Sequence, residues 1–227
     1  MTTKLEVVTK ANIHLYEDAV AQMHDLRHRI FVNRMGWEAL RKPDGIERDQ
    51  FDTDDAIYLL LIDDETVIGM HRLLPTTKPH LFSQLFSDTC NVKGVQRGPY
   101  TYELNRTCVD EERLSKDAQR QAKGEIIVGL IEYCLEAGIE TLTILTSTNL
   151  VSRYLALGWD IKPLGLPHDV NGQQQLAIAV SITQEAFDAV RKEFGILQSL
   201  VRYICPLPIR SSLSVLAAEP TAQPTMH

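Results

Sequence analysis

Between residues 100 and 147 the chain spells a strand, a long helix and a second strand in succession. Tyr100–Val109 (YTYELNRTCV) is rich in β-branched and aromatic residues and reads as a strand. Ser115–Ala137 sets Ala122, Ile126, Leu130, Ile131, Cys134 and Leu135 on one broad apolar face, and Gly138 is a natural stop. Glu140–Ser147 (ETLTILTS) reads as a buried strand. Upstream, Ala56–Ile62 and Thr66–Leu74 read as a hairpin through Asp63-Asp64-Glu65. A strand–helix–strand unit beside a hairpin implies a mixed central sheet with helices on both faces, an α/β (α+β) three-layer sandwich.

The remaining segments fit that frame. Leu5–Thr9 is a short strand candidate, and apolar residues recur at helical spacing from Ile13 to Met35, a stretch long enough for two helices. Residues 37–55 hold Pro43, Gly45 and many charges, as expected of an ordered loop or a lid. A short helix is expected at Leu81–Phe86 and another at Asn149–Leu157. Trp159–Leu164 and Gln174–Ile182 read as strands, and Thr183 caps a last helix through Phe194. Residues 1–205 are expected to form a single domain. From Pro206 the composition turns to Pro, Ser, Ala and Thr, so 206–227 is expected to be a flexible tail.

Composition excludes several classes. The 227 residues are 44% hydrophobic and 23% charged, enough to bury a core without staples. Lys and Arg number 23 against 30 acidic residues, so the net charge of 23 − 30 = −7 argues against a general nucleic-acid binder. No run of about 18 apolar residues exists to span a membrane, and no signal core opens the chain, so a cytoplasmic protein is expected. Cys90, Cys108, Cys134 and Cys205 form no CxxC pair and read as buried thiols, and no metal-ligand cluster stands out.

A polar set remains: Arg27, Arg29, Arg34, Trp37, Asp49, Asp52, Arg72, Glu103 and Arg106. Arg72, Glu103 and Arg106 lie in strands that are otherwise largely apolar, and buried charge is costly unless paired. Arg27, Arg72 and Arg106 are expected to neutralise Asp49, Asp52 and Glu103 in one cleft. Separate surface ion pairs are the alternative.

LRHRIFVNRMGW (26–37), RDQFD (48–52), GMHRLLPTT (69–77), Phe86 and YELNR (102–106) follow one another in this order. Together they resemble the acyl-homoserine-lactone synthases, the autoinducer synthases of quorum sensing, over roughly residues 5–195. The resemblance implies a fold similar to the GNAT N-acyltransferases. It implies a reaction of S-adenosylmethionine with an acyl thioester: amide formation, then lactonisation with release of methylthioadenosine. Both are substrates, so no cofactor or metal is implied. The family's arginine, phenylalanine and tryptophan fall on Arg27, Phe31 and Trp37, and its aspartates on Asp49 and Asp52. With Phe86 these are the implied S-adenosylmethionine-binding residues. Arg72, Glu103 and Arg106 fall on the catalytic positions.

The residue types suit that chemistry. An attacking amine must lose a proton, and Glu103 is the candidate base, directly or through a water. Close arginines would keep it ionised with a lowered pKa. Strict alternation puts Glu103 and Arg106 on opposite strand faces, so a shared site needs a bulge between them or nearby. The acyltransferase-like fold implies a gap between 100–109 and 140–147 that admits the donor arm. Leu104, Ile126, Leu130, Thr143, Leu145, Thr146, Leu155 and Trp159 are the acyl-pocket candidates beyond it. Two donors remain open. Acyl carrier protein would suit a basic row at Arg113, Lys116, Arg120 and Lys123. RKPDG (41–45), His71-Arg72 and PLGLP (163–167) are similar to a subgroup that uses acyl-CoA, and Gln121-Ala122-Lys123-Gly124 partly resembles a pyrophosphate loop. The rival readings are a CoA-dependent N-acyltransferase for another amine and a non-enzymatic binding domain.

Overall fold

The strand–helix–strand unit folds as its pattern predicts. β4 (Thr101–Val109) and β5 (Thr141–Ser147) are parallel neighbours, joined by α3 (Lys116–Ala137). Ser115 Oγ accepts from the Ala118 N–H, and Gly138 takes φ 72° to close the helix. The computed structural model describes residues 3–170, 172–202 and 204. Their strands form one sheet. β1 (Lys4–Val8), β2 (Ile57–Asp63) and β3 (Thr66–Pro75) lead to β4 as an antiparallel run. β8 (Gln173–Ser181) lies antiparallel to β5 and carries β6 (Asp160–Pro163) and β7 (His168–Val170). β9 (Val201–Arg202) closes the far edge against β1. The sheet is mixed, as expected.

Helices cover both faces. α3 and α5 (Gln184–Phe194) pack over the larger core, which holds Leu59, Leu73, Leu104, Ile126, Leu130 and Ile178. Two glycines on α3 permit that packing: a Cβ on Gly124 would meet the Phe194 ring at 2.5 Å, and one on Gly129 would meet Leu5 at 2.6 Å. α1 (Glu17–Arg27) packs on the other face over Tyr58, Leu60, Met70 and Leu74. A third cluster gathers Phe82, Cys90, Leu164, Ala177 and Ala179, with Phe86 and Leu145 against it.

The expected 13–35 helix is broken into three pieces. A 3-10 turn (Ile13–Leu15) precedes α1, and a π-helical segment (His28–Arg34) follows it. The helix after Pro79 is shorter than expected, α2 (Leu81–Gln84) followed by a turn at Ser87–Cys90. α4 (Thr148–Ala156) lies where a helix was expected. The 206–227 tail and Cys205 lie outside the described residues.

Two departures from regularity shape the site. Arg72 pairs with Asn105 and Met70 with Cys108, so Arg106 and Thr107 face the single residue His71. This is a β-bulge, with Arg106 at φ 50°. The β4–β5 ladder also ends early: it runs from Thr101–Thr141 to Leu104–Ile144 and stops, although β4 continues to Val109 and β5 stays paired to β8 through Ser147. The sheet is therefore split beyond Leu104, as the expected gap requires.

Candidate active site

Alternation along β3 turns Met70, Arg72 and Leu74 toward α1. The last turn of α1 presents Arg27, the π-helical segment presents Phe31, and residues 47–52 cross above them. Arg27 grips Asp52 with two bonds, Nη1 to Oδ1 at 2.7 Å and Nη2 to Oδ2 at 2.9 Å, and its Nε bonds Glu47. Arg72 grips Asp49 in the same bidentate way at 2.7 and 2.9 Å and reaches Asp52 Oδ1 at 2.8 Å. Arg106 Nη2 donates to Glu47 Oε1 at 3.1 Å and Asp49 Oδ2 at 2.8 Å. Tyr58 O–H donates to Asp52. Three guanidiniums thus meet three carboxylates, Glu47, Asp49 and Asp52, and charge balances inside the protein.

Asp49 and Asp52 are held ionised. Burial alone would raise the pKa of Asp52, but the Arg27 hydrogen bond and the charges of Arg72 and Arg27 outweigh it and lower it strongly. Asp49 is lowered likewise by Arg72 against the cost of burial. Arg106 also lies over the Phe31 ring, 5.5 Å from its centroid, and Phe31 stacks on half-buried Trp37 at 5.2 Å.

Glu103 differs from expectation. It is 2% exposed and, among the described residues, bonds no arginine. Its Oε2 accepts from the Phe82 N–H at 2.8 Å and its Oε1 from Asn105 Nδ2 at 2.9 Å. Burial raises its pKa, and these bonds and the Arg72 charge only partly offset that. The expected lowering is therefore wrong, and the carboxylate is the stronger base for it. The arginine partner that Glu103 was expected to be is Glu47. On paper Arg27, Arg72 and Arg106 already balanced Asp49, Asp52 and Glu103, so nothing in the sequence pointed to a further acid.

The bulge resolves the parity conflict. Glu103 and Asn105 share the face of Arg72, and the left-handed turn at Arg106 brings its guanidinium to Asp49 on that same side. Two members of the polar set stand apart. Arg29 pairs with Asp110 at 2.7 Å, and Arg34 pairs with Glu111 at 3.4 Å. Phe86 packs in the third cluster with Phe82 rather than against the arginines.

The acyl-pocket candidates straddle the split in the sheet. Leu104, Ile126, Leu130 and Trp159 belong to the α3 core, where Trp159 stacks on Tyr154 and Thr146 Oγ1 lies 3.3 Å from the Tyr154 hydroxyl. Thr143 and Leu145 point to the opposite face, the side of Glu103 and Phe82. Leu155 is 55% exposed on α4, next to Tyr154. A cavity of about 350 Å³ borders Leu74, the register partner of Glu103, with Phe51, Thr53 and Asp55 on one wall and Gln84 and Leu85 on another.

The donor-side features change more. Gln121–Gly124 lies inside α3, its glycine packed on Phe194 and Gln121 bonded to Glu125, so its amides serve the helix and it is no phosphate loop. In the basic row, Arg113 pairs with Asp110, Arg120 with Glu193 and Lys123 with Glu111. Among the described residues no group of three metal-ligand side chains gathers, and Cys90, Cys108 and Cys134 are free and buried, with burial raising the Cys108 thiol to about 12.

Known proteins resemble this chain in sequence and in fold. An isovaleryl-homoserine lactone synthase from Bradyrhizobium diazoefficiens is 34% identical over 217 residues, covering 94% of this chain and 97% of that one. A solved CoA-dependent acyl-homoserine lactone synthase, holding S-adenosylmethionine and isopentyl-CoA, superposes with TM-score 0.82 at 34% identity over 88% of this chain and 92% of that one. A structure from Lactobacillus plantarum assigned as an N-acetyltransferase shares the fold at TM-score 0.51 and 16% identity, over 79% of this chain and 99% of that one. The autoinducer synthase family model matches residues 12–190, and the chain belongs to that family.

Proposed function

We propose that this autoinducer synthase makes an acyl-homoserine lactone from S-adenosylmethionine and acyl-CoA. The carrying observation is Glu103, a buried carboxylate of raised pKa, set where β4 parts from β5 and beside the Arg72–Asp49–Asp52 cluster. Phe82 and Asn105 each use one lone pair of it and the Leu81 N–H also faces it, so its four lone-pair sites still leave room for a further donor. Glu103 takes a proton from the methionine amine, directly or through a water. The amine attacks the thioester carbonyl, an amide forms and the thiolate of CoA leaves. The methionine carboxylate then attacks its own γ-carbon, and the sulfonium leaves as methylthioadenosine. Arg27, Asp49, Asp52 and Arg72 act here as the rigid floor of the S-adenosylmethionine site. Phe31 and Trp37 supply its aromatic walls. Arg106 uses Nε and Nη2 on Glu47 and Asp49 and keeps Nη1 for the substrate carboxylate.

Acyl-CoA is favoured as donor by the CoA-dependent relative and by a basic row largely neutralised by its own carboxylates. Both substrates are metabolites of the cell interior, which supports action in the cytoplasm by a single domain spanning residues 1–205. The test is incubation with S-adenosylmethionine and matched acyl-CoA and acyl-carrier-protein panels headed by isovaleryl-CoA, read by methylthioadenosine release and lactone mass. Lactone from acyl-CoA is the expected result. Turnover with the carrier protein alone would overturn the donor, and no release with any donor would remove the synthase reading.

A further inference from the structure

Asn105 stands between the proposed base and the arginine cluster. It pairs with Arg72 in the β3–β4 register and shares a strand face with Glu103, two residues before it. Arg72 Nε donates to Asn105 Oδ1 at 2.7 Å, and Asn105 Nδ2 donates to Glu103 Oε1 at 2.9 Å. The amide can stand only one way round. A guanidinium has no acceptor and a carboxylate has no donor, so the oxygen must face Arg72 and the nitrogen Glu103.

We infer that Asn105 is a positioning residue for the reaction: it fixes the Glu103 carboxylate and acts as a neutral spacer that keeps Arg72 from pairing with it. This rests on the synthase reading above. Without the spacer, the nearest guanidinium would form an ion pair with the base and hold its electrons in place. With it, Glu103 gains a hydrogen bond and no full counter-charge. The other groups facing Glu103 are neutral or distant in effect: the Phe82 and Leu81 N–H groups from α2, the Cys90 thiol from the Ser87–Cys90 turn, and Thr143 opposite it on β5. Asn105 therefore decides how strongly the arginine cluster reaches the base.

Asn105→Asp keeps an acceptor for Arg72 but turns a second carboxylate oxygen toward Glu103. Two carboxylates in contact share a proton, so the acid limb of the kcat/KM–pH profile should move up by about one unit or more. An acid limb that stays at the wild-type pH in a folded Asn105→Asp protein overturns the inference. Should that variant fail to fold, Asn105→Ala decides. It should lower kcat by about tenfold while KM for S-adenosylmethionine holds. An unchanged kcat, or equal losses in kcat and in affinity, overturns the inference. Wild-type protein that releases no methylthioadenosine ends the synthase reading itself, whereas an active wild type with unmoved variants ends only the role of Asn105.

Discussion

The protein uses the same ionic side chains in two settings. Above β3 and β4, Arg27, Arg72 and Glu47 have side chains with no solvent exposure, and the donors described there each meet a carboxylate or amide oxygen. Along α3, Arg120 and Glu193 approach only to 3.7 Å, with side chains 74% and 55% exposed. The difference is solvent. Water screens the second pair and competes for its donors, so its geometry carries little energy. In the first, each guanidinium has exchanged water for fixed carboxylates, so the loop holding Glu47, Asp49 and Asp52 is tied to the sheet at the place where substrate must bind.

Breaking the buried set should have the largest effects. Glu47→Ala leaves Arg27 Nε and Arg106 without their shared carboxylate and should destabilise the fold by about 3–5 kcal/mol, measured by urea unfolding. A loss below about 1 kcal/mol would mean that the cluster is as weak as a surface pair. Glu103→Gln keeps size and an acceptor for the Phe82 N–H, so folding should survive. Turnover should fall by roughly 100- to 10,000-fold. A fully active Glu103→Gln enzyme would strip the residue of its role as base.

Much of this was legible in the residues, for identifiable reasons. β4, α3 and β5 are long and periodic, so local pattern and tertiary packing agree. The bulge followed from parity once Glu103 and Arg106 were assigned to one site, because they cannot share a face of a regular strand. Residues 168–170 and 201–202 carry no such signal: β7 and β9 are three and two residues long and exist because a neighbouring strand offers an edge. The pairing of Glu103 was misread because residue type was used in place of register. Register puts Asn105, not an arginine, next to it, and the long-range closure of residues 47–52 over α1 delivers Glu47 instead.

His71 sharpens the comparison on the other face of β3. Its ring is 1% exposed, with Nδ1 2.8 Å from Thr107 Oγ1 and Nε2 3.2 Å from the Ile126 carbonyl. The carbonyl can only accept, so Nε2–H donates and Nδ1 accepts from the threonine. Unlike Arg72 beside it in sequence, it has no carboxylate partner among the described residues. Burial lowers its pKa from 6.5 to about 4. On a fall in pH the unfolded chain takes the proton first, so stability declines between about 6.5 and about 4. From pH 7 to pH 5 the histidine should account for roughly 2 kcal/mol. His71→Leu should remove that share of the pH dependence, read from urea midpoints at both values. Equal pH dependence in the two proteins would show that His71 is not buried neutral.

The smallest effect belongs to the surface row, and salt makes it decisive. Arg120→Ala removes a long, exposed contact between α3 and α5, so the loss should stay under about 0.5 kcal/mol and vanish in 1 M salt, where screening acts over about 3 Å. The Glu47→Ala penalty should persist in the same salt, because ions cannot enter a cluster whose side chains are closed to solvent. The pair of measurements separates burial from charge. If both penalties fade together, the arginines above the sheet are held by long-range attraction rather than by desolvated contact. The rigid floor proposed for S-adenosylmethionine would then be a loose one.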